Sequence, residues 1–181
     1  MDEHSVTRHE KWMREALKIA QKALDAGEFP VGCVLVGDDK VVGRGGRVNS
    51  KGEAQNELDH AEILAIRDWV KKGKPGRELT IYSTLEPCLM CTGAILISGI
   101  KQIVFAYEDV MGGACGIHLE RPLSIKGDNT AQYSMYKNGG VTILPSILRE
   151  ESLKLFKTFF ARDNNQYLKG TALEQYTLKE A

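Results

Sequence analysis

His60-Ala61-Glu62 and Pro87-Cys88-Leu89-Met90-Cys91, whose first cysteine stands 26 residues after Glu62, decide how this chain of 181 residues is read. One histidine and two cysteines supply three zinc ligands and leave the fourth tetrahedral position open. An open position belongs to a catalytic zinc, whereas structural zinc is closed by four protein ligands. Glu62 stands two residues from the histidine and remains free to move protons rather than bind metal.

Both halves of the pattern are expected to open helices. The first runs from about residue 59 to 72, with Ile63, Leu64, Ile66, Trp69 and Val70 as its apolar positions. In the second, Pro87 suits the first turn, and Ala94 to Ile97 continue the helix as far as Gly99. Cysteines at i and i+3 project from one face and can reach one ion. Two helix N-termini aimed at a metal add positive potential, which favours thiolate over thiol.

Around these two helices, strands and helices alternate. A helix is expected over residues 9 to 26, stopped by Gly27, with Trp12, Met13, Ala16, Leu17, Ala20, Ala23 and Leu24 on one face. Phe29 to Val36 reads as a buried strand, Gly37-Asp38-Asp39-Lys40 as a turn, and Val41-Val42 as the start of a hairpin partner. Residues 43 to 58 read as a loop, residues 79 to 83, 103 to 105 and 141 to 144 as strands, and residues 107 to 140 as a long irregular stretch. A last helix is expected from Ser146, as its cap, to Ala161, followed by a polar tail over residues 162 to 181. The alternation implies an α/β sandwich with the sheet covered on its faces. One domain spans residues 1 to 181, with its core at about 9 to 160.

The bulk composition narrows the partners. An apolar content of 43% supports a real core, and 24 basic against 24 acidic residues leave no net charge. Nucleic-acid binding usually shows as a basic excess, so its absence favours a small substrate. No apolar run approaches the roughly 18 residues of a membrane helix. The first twenty residues lack the basic start and apolar stretch of a secretory signal, and two of the four cysteines stand in a metal spacing. A cytoplasmic protein with no membrane partner is expected.

Taken singly, a Cys-x-x-Cys suits structural zinc or redox chemistry, and a His-x-Glu suits a helix surface. Their conjunction resembles the zinc deaminases that act on nucleobases. The chain is similar, over roughly residues 9 to 160, to the cytidine-deaminase-like superfamily, and within it to tRNA adenosine deaminases and to guanine and cytosine deaminases. Glu28-Phe29-Pro30-Val31-Gly32, Thr84 to Cys91, Val104-Phe105 through Asp109, Gly113-Ala114-Cys115-Gly116 and Phe159-Phe160 resemble the tRNA branch. Cys91-Thr92-Gly93-Ala94-Ile95 is equally similar to cytosine deaminases of fungal type.

The resemblance implies an α/β fold, a three-layer α/β/α sandwich around a central five-stranded mixed sheet, and usually a homodimer. It also implies one Zn2+ per chain on His60, Cys88 and Cys91, with Glu62 as the catalytic proton shuttle. It places Phe29, Val31, Asn49, Ala61 and Asp109 at the substrate; Asn49, 11 residues before His60, corresponds to the family's pocket asparagine. Bound zinc lowers the pKa of its water to about 7. Deamination also needs a proton on the ring nitrogen and another on the departing amine, and one carboxyl can serve both transfers. Backbone N–H groups of Ala61 and Cys88 are placed to add hydrogen bonds. Cys33 and Cys115 read as small apolar residues, and His4, His9 and His118 have no partner at ligand spacing.

Three functions fit. The leading expectation is a zinc-dependent hydrolytic deaminase of a free purine or pyrimidine base or a nucleoside, releasing ammonia. The alternative is a tRNA-specific adenosine deaminase converting adenosine to inosine in the anticodon loop. A non-catalytic zinc scaffold is the third, disfavoured because it has no physical need for Glu62. Tyr133 and Tyr136, in the stretch from 117 to 140, either stack on a flat base as a lid or pack that stretch onto the core.

Overall fold

Period-two burial in three strands builds the centre of the molecule. In the computed structural model, which describes residues 3–51, 56–116 and 141–180, Cys33, Leu35, Ile81, Ile103 and Phe105 join one apolar cluster. Their neighbours Val34, Val36, Tyr82, Val104 and Ala106 join a second. Successive side chains point to opposite faces of a strand, so the sheet is covered on both sides. His118, Tyr133, Tyr136 and the expected lid lie outside the described residues, as does the side chain of His4.

The elements are α1 (Glu3–Asp25), β1 (Gly32–Gly37), β2 (Lys40–Gly46), α2 (Ala61–Lys71), β3 (Thr80–Leu85), α3 (Leu89–Ile97), β4 (Gln102–Tyr107), β5 (Thr142–Leu144), α4 (Arg149–Phe160) and α5 (Ala172–Lys179). The sheet order is β2-β1-β3-β4-β5. β1 is antiparallel to β2 and β3, whereas β3-β4 and β4-β5 are parallel, which makes the mixed five-stranded sheet expected from the sequence. Trp12, Met13 and Ala16 of α1 pack on one face, while Ala61, Ala65 and Trp69 of α2 and Ile95 of α3 pack on the other. No described helix is long and apolar enough to cross a membrane.

Four local expectations are corrected. α1 begins at Glu3 rather than near residue 9. β2 runs on to Gly46, through residues read as loop, because α2 lies directly against it: a Cβ at Gly45 would meet the Ala61 carbonyl, and one at Gly43 the Ala65 carbonyl. Polar, glycine-containing sequence is here a strand adapted to close helix packing. The last long helix begins at Arg149, and Ser146 does not cap it: Ser146 and Leu148 both have positive φ, at 65° and 57°. Buried Ile147 donates its N–H to the Phe105 carbonyl at 3.2 Å, so the chain is held across the sheet end before the helix can start.

The fourth correction concerns the tail. Residues 172–179 form α5, with Leu173 and Thr177 fully buried. Thr171 accepts from the Glu174 N–H at 3.4 Å, and Glu174 accepts from the Gly170 N–H at 2.5 Å. This Thr-x-x-Glu arrangement satisfies helix-end donors that would otherwise be orphaned.

Candidate active site and metal centre

The N-termini of α2 and α3 meet beside the ends of β3 and β4. His60 and Cys88 each occupy an N-cap position, and neither side chain makes a capping hydrogen bond. Ser, Thr, Asp or Asn is preferred there because a side-chain oxygen satisfies the helix's free N–H groups. Both side chains here turn to a common point instead. His60 Nδ1 lies 3.5 Å from Cys88 Sγ and 3.5 Å from Cys91 Sγ, and the three ligand atoms lie within 4.8 Å of one another.

Tetrahedral zinc with its usual bond lengths to sulfur and nitrogen sets an N···S separation of about 3.6 Å. The donor set therefore fits zinc in chemistry and in spacing. The Cys88 thiol is pushed down to about 4, first by its hydrogen bond with Cys91 and then by His60, while Cys91 is pushed up by the same bond and by burial. One thiolate is thus already favoured at this point. Cys33 and Cys115 stay outside the group: both are buried thiols raised by desolvation, as expected of small apolar residues.

Glu62 follows in the first turn of α2, at 3% exposure. Ser83 Oγ of β3 donates to Glu62 Oε1 at 3.1 Å, and Cys91 Sγ lies 3.5 Å from Oε2. Burial raises the Glu62 carboxyl above its ordinary value. A carboxyl kept easily protonated beside three metal-type ligands is the arrangement that acid–base work requires.

A cavity of about 170 Å³ opens onto this group. Phe29, Val31, Ala61 and Asp109, all expected at the substrate, line it together with His60, Glu62 and Cys88. Asn49 is not among the lining residues; with φ at 56°, its amide donates to Asp59 Oδ2 at 2.7 Å. Asp109 accepts from the N–H groups of Met111 and Gly112 at 2.9 Å each, closing a tight turn. Glu86 secures that turn to the cysteine segment, accepting from Cys115 N–H at 3.2 Å and from Asp109 N–H at 3.4 Å.

Sequence reading missed part of the cavity lining. Arg47, Glu57, Tyr167, Leu168 and Leu173 also line the cavity. Tyr167 and Leu168 belong to the segment read as a polar tail, and the Thr171-x-x-Glu174 capping signal was the clue to its structure. His9, read as ordinary, faces Tyr82 Oη at 3.0 Å on the other side of the sheet.

Comparison with known proteins bears on this geometry. The cytidine and deoxycytidylate deaminase zinc-binding region matches residues 6–107. The chain belongs to this family. It is a zinc-dependent deaminase, a hydrolase. The deaminase is 36% identical to a tRNA-specific adenosine deaminase 2 of Xenopus tropicalis, over 86% of this chain and 90% of the relative. It is 38% identical to a tRNA-specific adenosine deaminase of Haemophilus influenzae, over 84% and 83% respectively. A solved structure from work on A-to-I editing by tRNA:A34 deaminases superposes with a TM-score of 0.60 at 27% identity, covering 80% of this chain and 98% of that one.

Proposed function

We propose that the deaminase acts on adenosine held in a tRNA anticodon loop, converting it to inosine. The observation that carries this reading is similarity along most of both chains to tRNA-specific adenosine deaminases, at 36% and 38% identity. It displaces the free base or nucleoside from first place. His60, Cys88 and Cys91 would hold the zinc, which supplies a water acidic enough to ionise near neutral pH. Glu62, buried and hydrogen-bonded by Ser83, takes up the two protons of the consumed water one after the other, passing one to the ring nitrogen and the other to the leaving amine. The reaction is hydrolysis, with water consumed and ammonia released. Phe29 and Val31 present an apolar wall to the base, and Ala61 offers its backbone at the start of α2.

One observation favours the small-substrate reading. Glu57, Glu62, Glu86 and Asp109 line the cavity against a single arginine, and that arginine is already paired. Such a lining repels phosphate, so any RNA backbone must be held outside the cavity. Ammonia release across free bases, nucleosides and a tRNA anticodon stem-loop, measured at several salt concentrations, separates the two. The proposal expects turnover of the stem-loop that weakens steeply with salt through counterion release. Turnover confined to free bases or nucleosides, nearly independent of salt, overturns it.

A further inference from the structure

Arg47 is charged yet only 2% exposed, which demands partners on every side. Its Nη1 donates to the carbonyls of Val48 at 3.0 Å and Asn56 at 2.8 Å. Its Nη2 donates to Glu57 Oε2 at 2.9 Å and to Tyr167 Oη at 3.2 Å. Tyr167 in turn donates to the same Oε2 at 2.9 Å, and its ring rests on Phe29 with centroids 5.3 Å apart. One buried cation therefore gathers the end of β2, the lead-in to α2 and the C-terminal segment onto one oxygen of Glu57.

That oxygen faces the metal centre. His60 turns Nδ1 to the two cysteine sulfurs, so Nε2 is the outward edge of the ring, and Glu57 Oε2 lies 4.0 Å from it. Among the described residues no group hydrogen-bonds Nε2, and Glu57 is the acceptor beside it. A metal-binding histidine ordinarily gives its second N–H to a carboxylate, a carbonyl or a water, which fixes the tautomer, orients the ring and makes the ligand more basic. A gap of this size closes by a small side-chain shift or through one bridging water.

We propose that Glu57, held by Arg47 and Tyr167, is a positioning residue for the metal site, accepting the Nε2 proton of His60 and keeping Nδ1 aimed at the cysteines. The C-terminal segment then bears on the metal as well as on the cavity wall. The test reads the metal and not the substrate, so it stands apart from the choice of RNA or free base. Zinc affinity of the full chain is measured by chelator competition for wild type, E57A, E57Q and Y167F. Cobalt(II) absorption spectra of the substituted proteins and unfolding midpoints of the zinc-free proteins accompany it.

We expect E57A to weaken zinc binding by about 10- to 100-fold and to shift the cobalt bands. E57Q, which keeps an oxygen acceptor, recovers part of the loss. Y167F changes affinity in the same direction by less, because Arg47 still holds the carboxylate. Because E57A also strips buried Arg47 of its carboxylate partner, its zinc-free midpoint falls, and E57Q, which keeps an oxygen for Arg47, separates that loss from the effect on the metal. Wild-type zinc affinity and spectrum in E57A overturn the proposal. A fall in affinity with unshifted cobalt bands in E57A also overturns it, by reducing Glu57 to a merely structural role.

Discussion

At the residue scale, metal retention and turnover separate cleanly. Cys88 and Cys91 contribute their sulfurs to the donor set, while Glu62 lies beside it with one oxygen on Ser83. Replacing either cysteine by serine exchanges a soft thiolate for a poorly ionised hydroxyl, so elemental analysis should show heavy zinc loss in C88S and C91S. E62A should keep zinc and fold yet lose turnover by about 10²- to 10⁴-fold, the range a positioned acid–base group supplies. If E62A loses its zinc while the rate per bound metal survives, Glu62 is a ligand and its role as proton carrier is wrong.

At the element scale, the approach of α2 to β2 places half of the site. Glycine at 43 and 45 lets the helix backbone lie on the strand, and Ala61, the residue that Gly45 faces, directly follows His60. A methyl at position 45 must push the helix start away from the sheet. Overpacking of this kind costs roughly 1–3 kcal/mol. G45A should therefore lower the denaturation midpoint and weaken zinc binding together. The corresponding change at Gly93, whose added Cβ meets nothing within 4 Å, should leave zinc binding alone. Equal zinc affinity in G45A and wild type would show that the site tolerates displacement of the α2 start.

At the scale of the whole molecule, α5 is docked by a charged junction far along the chain from the motif. Arg149 Nε donates to Glu108 Oε2 at 2.9 Å and its Nη2 to Glu180 Oε2 at 2.8 Å, while Tyr176 donates to Glu108 Oε1 at 2.7 Å. Burial pushes the Glu108 carboxyl up, but hydrogen bonds from Arg149 and Tyr176 outweigh it and leave the group below its ordinary value of 4.5. A depressed carboxyl stabilises the fold above its unfolded pKa, and that contribution fades as pH falls through the lower folded value. E108Q should be less stable than wild type at neutral pH by about 1.5–3 kcal/mol, the usual worth of hydrogen bonds to a charged group. Thermal unfolding should show the difference shrinking as pH falls below 4.5. A gap that is constant with pH removes the carboxylate from the docking of α5.

The metal-type ligands, the carboxyl beside them and the alternation that builds an α/β sandwich were legible in the chain itself, because ligand type, i to i+3 spacing and apolar periodicity are local properties. Phe29, Val31, Ala61 and Asp109 were named at the substrate through resemblance, and the fold brings them to one cavity. Other features rest on contacts between distant segments. Ser146 has the chemistry of a cap, yet the anchoring of Ile147 on β4 moves the helix start beyond it. Gly43 to Gly46 look like loop until α2 is seen lying against them. Arg47 and Tyr167 are 120 positions apart and meet at Glu57, where the segment before α5 lines the cavity. Local chemistry determined which atoms are able to bind a metal and carry protons. Tertiary packing decided what surrounds those atoms, because the partners of a buried charge and the walls of a cavity are drawn from wherever the chain returns.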